Sequence, residues 1–96
     1  VRNPFSFSSK PYIKVYGNGE GTLVIQNEAG NKIWQFSDID EYVEIDSELM
    51  NFFKGTELKN GTVSGDGFPE FSKGDNVLSF NGGITELEII PRWVSL

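Results

Sequence analysis

The chain has 96 residues, a formal net charge of −6, no histidine and no cysteine. Without histidine there is no Ser-His-Asp triad and no imidazole base titrating near neutral pH. Without cysteine there is no thiol nucleophile, disulfide, iron–sulfur cluster or thiolate zinc site.

The length predicts one domain over residues 1–96, because domains cluster near about 100–150 residues. Eight Phe, three Tyr and two Trp supply enough large apolar surface for a core. Ala occurs once (Ala29), while Gly occurs 11 times. Scarce helix formers and abundant turn residues favour strands joined by tight turns. The acidic balance argues against nucleic-acid binding, which depends on Lys and Arg at phosphates. No apolar run is long enough for a membrane-spanning helix, and no signal peptide is read at the start. The opening residue is Val1 rather than Met, which reads as the back part of a longer polypeptide or a processed product.

In chain order, 1–11 form an opening segment in which Phe5 and Phe7 alternate with Ser6 and Ser8, a pattern that suits an edge strand. Tyr12 to Tyr16 alternate, with Ile13 and Val15 on one side and Tyr12, Lys14 and Tyr16 on the other. Thr22 to Gln26 alternate again with Leu23 and Ile25 inward. The glycines at 17, 19 and 21 between them read as the turn of a β-hairpin. Asn27 to Asn31 read as a turn, Lys32 to Phe36 as a strand, Ser37 to Glu41 as a loop, and Tyr42 to Asp46 as a strand with Val43 and Ile45 inward. Leu49, Phe52 and Phe53 sit at i, i+3 and i+4, which fits one helical turn. A strand is the competing assignment, and the neighbouring strands favour it.

Asn60-Gly61 prefers a type I′ turn, with strands at 56–59 and 62–64 on either side. Residues 65–76 make the longest loop, with Phe68 and Phe71 tucking it onto the core. Val77 to Phe80 read as a strand with Leu78 and Phe80 inward, Asn81-Gly82-Gly83 as a tight turn, and Ile84 to Ile90 as a strand with Leu87 and Ile89 opposite Glu86 and Glu88. Pro91 interrupts it. About eight short strands at this spacing predict an all-β, two-sheet antiparallel β-sandwich of jelly-roll or galectin-like type.

The chemistry-bearing patterns are weak. Asp38, Asp40, Glu41, Glu44, Asp46 and Glu48 cluster, but they lack the ligand spacing of a Ca²⁺ loop. Glu44 and Asp46 share a strand face, so the cluster reads as a solvated face. A carboxylate pair for glycoside hydrolysis needs one acid in a cleft, and nothing in the sequence marks one. The glycines at 17, 19 and 21 precede a strand rather than the helix of a dinucleotide fingerprint. Asn60-Gly61-Thr62 matches a glycosylation sequon that the turn already explains. No catalytic constellation, cofactor fingerprint or metal site is read.

Aromatic residues are the open question. Tyr12, Tyr16, Trp34 and Trp93 cannot all be placed inward by alternation. Tyr12, Tyr16 and Trp34 are the candidate ligand-binding residues, because flat exposed rings stack on the C–H face of sugars. The competing reading is that they fill the far edge of the core.

Several segments occur in a recognisable order: Ser9 to Gly17 with Gly19 and Gly21, Ile45 to Met50, Gly65 to Asn76, Val77 to Phe80, and Leu87 to Trp93. Together they resemble the C-terminal domain of the siphophage distal tail protein family of Gram-positive phages and prophages. The resemblance covers nearly the whole chain. It implies a galectin-like or carbohydrate-module-like sandwich at the virion tail tip, made in the host cytoplasm. It also implies partners among other tail, baseplate or receptor-binding proteins. In that family an N-terminal ring domain forms a hexamer. The full-length protein is therefore expected to be a homo-hexamer and this fragment a monomer. The family supplies no catalytic residue and no shared sugar site to carry over. A carbohydrate-binding module for host cell-wall glycans is the alternative.

Overall fold

The computed structural model describes residues 1–94. Its elements are β1 (Arg2–Asn3), β2 (Tyr12–Asn27), β3 (Gly30–Asp46), β4 (Asn51–Lys54), β5 (Glu57–Leu58), a 3₁₀ turn (Asn60–Thr62), β6 (Val63–Gly65), β7 (Gly74–Asp75) and β8 (Val77–Ile90). The fold is all-β and antiparallel, a two-sheet sandwich. A two-stranded sheet pairs β1 with β7, and a six-stranded sheet runs β5-β4-β3-β2-β8, with β6 also pairing β3.

Eight strands among the described residues match the expected number of about eight, but three of them are long. β2, β3 and β8 span 16, 17 and 14 residues. The expected hairpin across Gly17–Gly21 does not form. β2 runs through those glycines and pairs on both sides, with β3 and with β8. The expected loop at 37–41 and turn at 81–83 are likewise inside strands.

The register explains this. Tyr16 pairs Glu86 while Gly17 pairs Ile84, so Thr85 is an extra residue in β8. Gly19 pairs Ile39 while Gly21 pairs Phe36, so β3 also carries one extra residue there. Asn18-Gly19-Glu20 face only Gly83 between their flanking pairs on β8. These are β-bulges, which bend a strand without ending it.

Side-chain parity confirms the bend. Along β2 the buried residues Ile13, Val15, Leu23 and Ile25 keep one parity. Along β3 the buried set changes from Trp34 and Phe36 to Ile39, Val43 and Ile45, a flip of one residue at the bulge. Both halves of the bent strands thereby face one core cluster, which also includes Phe52, Phe71 and Ile84.

Gly17 and Gly83 make the close approach at the bend. A Cβ on Gly17 would collide with the Gly83 carbonyl, and one on Gly83 with the Asn18 carbonyl. At the other end of β2, the turn expected at 27–31 does form, with Asn27 pairing Gly30.

Three local expectations change. Leu49 and Met50 lie in a turn, and the strand that follows is β4, with Phe52 buried. Asn60-Gly61 forms the 3₁₀ turn rather than a hairpin, because β5 pairs β4 while β6 pairs β3. Phe5 and Phe7 pair with no strand. The opening segment joins the fold through β1 and through Ser9, which bridges Phe71.

The long loop covers the core as expected. Phe71 is fully buried, and Phe68 stacks on Phe52 at 4.8 Å between ring centroids. Asn76 holds the loop in place. Its Oδ1 accepts from Ser72 N and Asn27 Nδ2, and its Nδ2 donates to the carbonyls of Ser72, Gly74 and Val1. A buried amide with this many partners satisfies backbone groups that an irregular segment would otherwise strand.

Candidate functional site

The outer face of the first half of β2 gathers the polar aromatic residues. Tyr12, Lys14 and Tyr16 stand in one column. On β3 they face Asp46, Glu44 and Tyr42, and on β8 they face Ile90, Glu88 and Glu86. This follows directly from strand alternation, which sends every second residue to the same face.

The rings and charges on this face engage one another. Tyr12 Oη donates to Glu44 Oε1 at 2.6 Å, and Gly55 N donates to Glu44 Oε2 at 2.8 Å. Tyr16 Oη donates to Glu88 Oε2 at 2.9 Å. The Lys14 ammonium lies 4.3 Å from the Tyr42 ring centroid and 5.1 Å from that of Tyr16, within cation–π range. Tyr16 and Tyr42 are tilted neighbours at 6.3 Å. Lys54 approaches Tyr42 from β4.

Asp46 departs from the expected solvated face. It is buried, and Arg92 grips it with two bonds of 2.7 and 3.1 Å. Its Oδ1 also accepts from the backbone N–H groups of Glu48 and Leu49. The reason is a contact that strand alternation does not encode: Pro91 ends β8, and Arg92, at φ 55°, folds back over the end of β3. Arg92 holds the Asp46 carboxyl below the usual carboxylate range, helped by the two N–H donors and opposed by burial. The Tyr12 phenol is pushed well above its usual value, first by burial and then by its bond to Glu44.

Of the three candidate residues, the structure brings Tyr12 and Tyr16 together on one face, both half-buried. Their hydroxyls are taken by carboxylates. Trp34 lies apart, fully buried, with its Nε1 donating to the Gly67 carbonyl at 2.8 Å. Its ring therefore offers no surface for stacking. Tyr42 and Arg92 complete the face and were missed from the sequence. Alternation with Glu44 was an available signal for Tyr42. Arg92 had none, because its partner lies 46 residues away.

Several shallow clefts accompany this face. One of about 370 Å³ sits at the bend, lined by Glu20, Thr22, Gln35, Ser37 and Ser64 among others. Another, of about 280 Å³, lies between the opening segment and the long loop, lined by Lys10, Met50, Phe68 and Glu70 among others. No group of three acidic side chains is placed to hold a metal ion among the described residues. The turn at 47–50 projects Leu49 and Met50, 66% and 63% exposed, beside the second cleft. Met50 has a left-handed φ of 56°, a conformation that costs about 1–2 kcal/mol outside glycine. Arrangements of this kind suit contact with another molecule through surface. No family model, curated protein or solved structure matches this chain.

Proposed function

We propose that this chain is a non-catalytic docking domain of a phage or prophage tail tip, the C-terminal domain of a siphophage distal tail protein. In this reading it decorates the tail hub, a homo-hexamer in the full-length protein, and holds baseplate or receptor-binding proteins. One observation carries the docking part. The polar groups of the best-formed face are spent on one another, as in the Asp46–Arg92 and Tyr12–Glu44 pairs, while the adjacent Leu49 and Met50 stand exposed on one turn beside a cleft. Exposed apolar surface of this kind marks contact with partners. The tail assignment rests on the ordered segments that resemble the family, and Ile45 to Met50, one of those segments, includes the projecting turn.

The test is electron microscopy of tails from a phage or induced prophage that encodes this chain, labelled with gold-conjugated antibody raised against it. Label confined to the distal tip is the expected result. Unlabelled tails, with the protein present elsewhere in the lysate, would contradict it.

Carbohydrate binding is the second reading, favoured by the Tyr12, Tyr16 and Tyr42 cluster and by the cleft with Phe68, Lys10 and Glu70. Titration with host wall glycans at millimolar concentration should shift the tyrosine or Phe68 ring resonances if it holds. Unmoved rings would remove it.

A further inference from the structure

The six-stranded sheet has two unlike edges. On one side β3 is covered along separate stretches by β4 and β6, and β4 by β5. On the other side β8 pairs only with β2 among the described residues. β8 is 14 residues long, and Ile84 is its only buried residue. Long unpaired edges present backbone N–H and C=O groups that readily accept another strand.

The core is unfinished along this edge. On β2, Ile13, Val15 and Leu23 are fully buried. Their partners one strand over are Ile89, Leu87 and Phe80. Ile89 and Leu87 are only half-buried, and Phe80 is 42% exposed although the sequence places it inward. Burial thus falls away across a single strand spacing. Among the described residues no strand pairs with β8 on its far side.

The outer face of the same run is acidic. Glu86 and Glu88 alternate with Leu87 and Ile89 between the Thr85 bulge and Pro91. Glu86 has no ion-pair partner among the described residues. A second copy is a poor occupant, since each carries a net charge of −6.

We infer that the Glu86–Ile90 run of β8 is a strand-addition site for an extended segment of another protein, in which apolar residues alternate with Lys or Arg. The incoming backbone pairs with the open edge. Its apolar residues cover Leu87 and Ile89, and its cations face Glu86 and Glu88. Main-chain hydrogen bonds supply affinity in such a mode, and the alternating side chains supply specificity. This deepens the docking reading and rests on it only for the existence of a protein partner.

The experiment uses the ¹⁵N-labelled 96-residue chain. It is titrated with a short peptide of alternating valine and lysine, and separately with the same peptide carrying glutamate for lysine. The expected result is amide shifts centred on 86–90 with the lysine peptide, slowed exchange at alternate β8 amides, and no response to the glutamate peptide. Glu86→Lys with Glu88→Lys should weaken the lysine peptide about tenfold or more. Glu86→Lys alone, which breaks no bond in the fold, should weaken it in the same direction. No binding, equal binding of both peptides, or shifts centred elsewhere would overturn the inference. So would concentration-dependent self-association that protects β8, which makes the occupant a second copy. Tip-labelled tails alongside a silent titration would remove this site and leave the tail reading standing. Unlabelled tails alongside peptide binding would do the reverse.

Discussion

Asp46 shows how one side chain organises a turn. It accepts two bonds from Arg92 and two from the backbone of the turn that projects Leu49 and Met50. Asp46→Ala should cost about 2–3 kcal/mol, the range for bonds to charged groups in a poorly solvated place. Its carboxyl titrates lower in the folded chain than in the unfolded one. That contribution is therefore complete above the unfolded value near 3.8 and is lost as pH falls through the folded value. Denaturant melts of wild type and variant should converge in stability as the pH drops below 4 and stay apart at neutral pH. Tyr12 acts at the other end of the scale. Its phenol is harder to ionise in the folded state, so stability should decline as pH rises past the ordinary phenol value of 10.0. Tyr12→Phe should cost about 1 kcal/mol at neutral pH and flatten that alkaline decline, read from the same melts. Alternation correctly put Tyr12, Tyr16 and Glu44 on the polar face. It could not put Arg92 on Asp46, and it left Trp34 open between core and surface, because burial depends on what packs over a strand from far along the chain.

The bend in β2, β3 and β8 is the element that shapes the domain. Glycines at 17, 82 and 83 allow the backbones of β2 and β8 to pass closely where the bulges lie. Gly17→Ala would drive a methyl into backbone at Gly83 and Ile84 that has no room to move. It should destabilise by several kcal/mol or prevent folding, as overpacked sites do. Gly19→Ala is the informative contrast. Gly19 has φ 78° but open space around it, so it should cost only about 1–2 kcal/mol. Thermal melts of the two variants separate crowding from backbone preference. Equal small losses would mean the strands do not cross so closely. The strand segments themselves were legible, since inward residues such as Val15, Leu23 and Val43 follow period two. Their continuity was not, because a Gly-Asn-Gly run suits a hairpin turn and an interior bulge equally well. Only the neighbouring strands decide which forms.

At the scale of the whole molecule, both halves of the bent sheet close on one core, and the Gly65–Asn76 segment covers it with Phe71. The composition foretold an all-β fold, and Phe68 and Phe71 foretold the cover. The asymmetry of the edges was not legible, because strand order is a long-range property. That asymmetry separates a finished side from an open one and gives the docking account its physical basis. Amide hydrogen exchange of the free chain, read residue by residue, tests it most directly. Val15 and Leu23 of β2, paired on both sides, should exchange only through global opening. Within Glu86–Ile90, alternate amides should exchange far faster than the intervening ones that face β2. Uniform protection across those five residues, at the level of β2, would show the edge already covered and contradict the account.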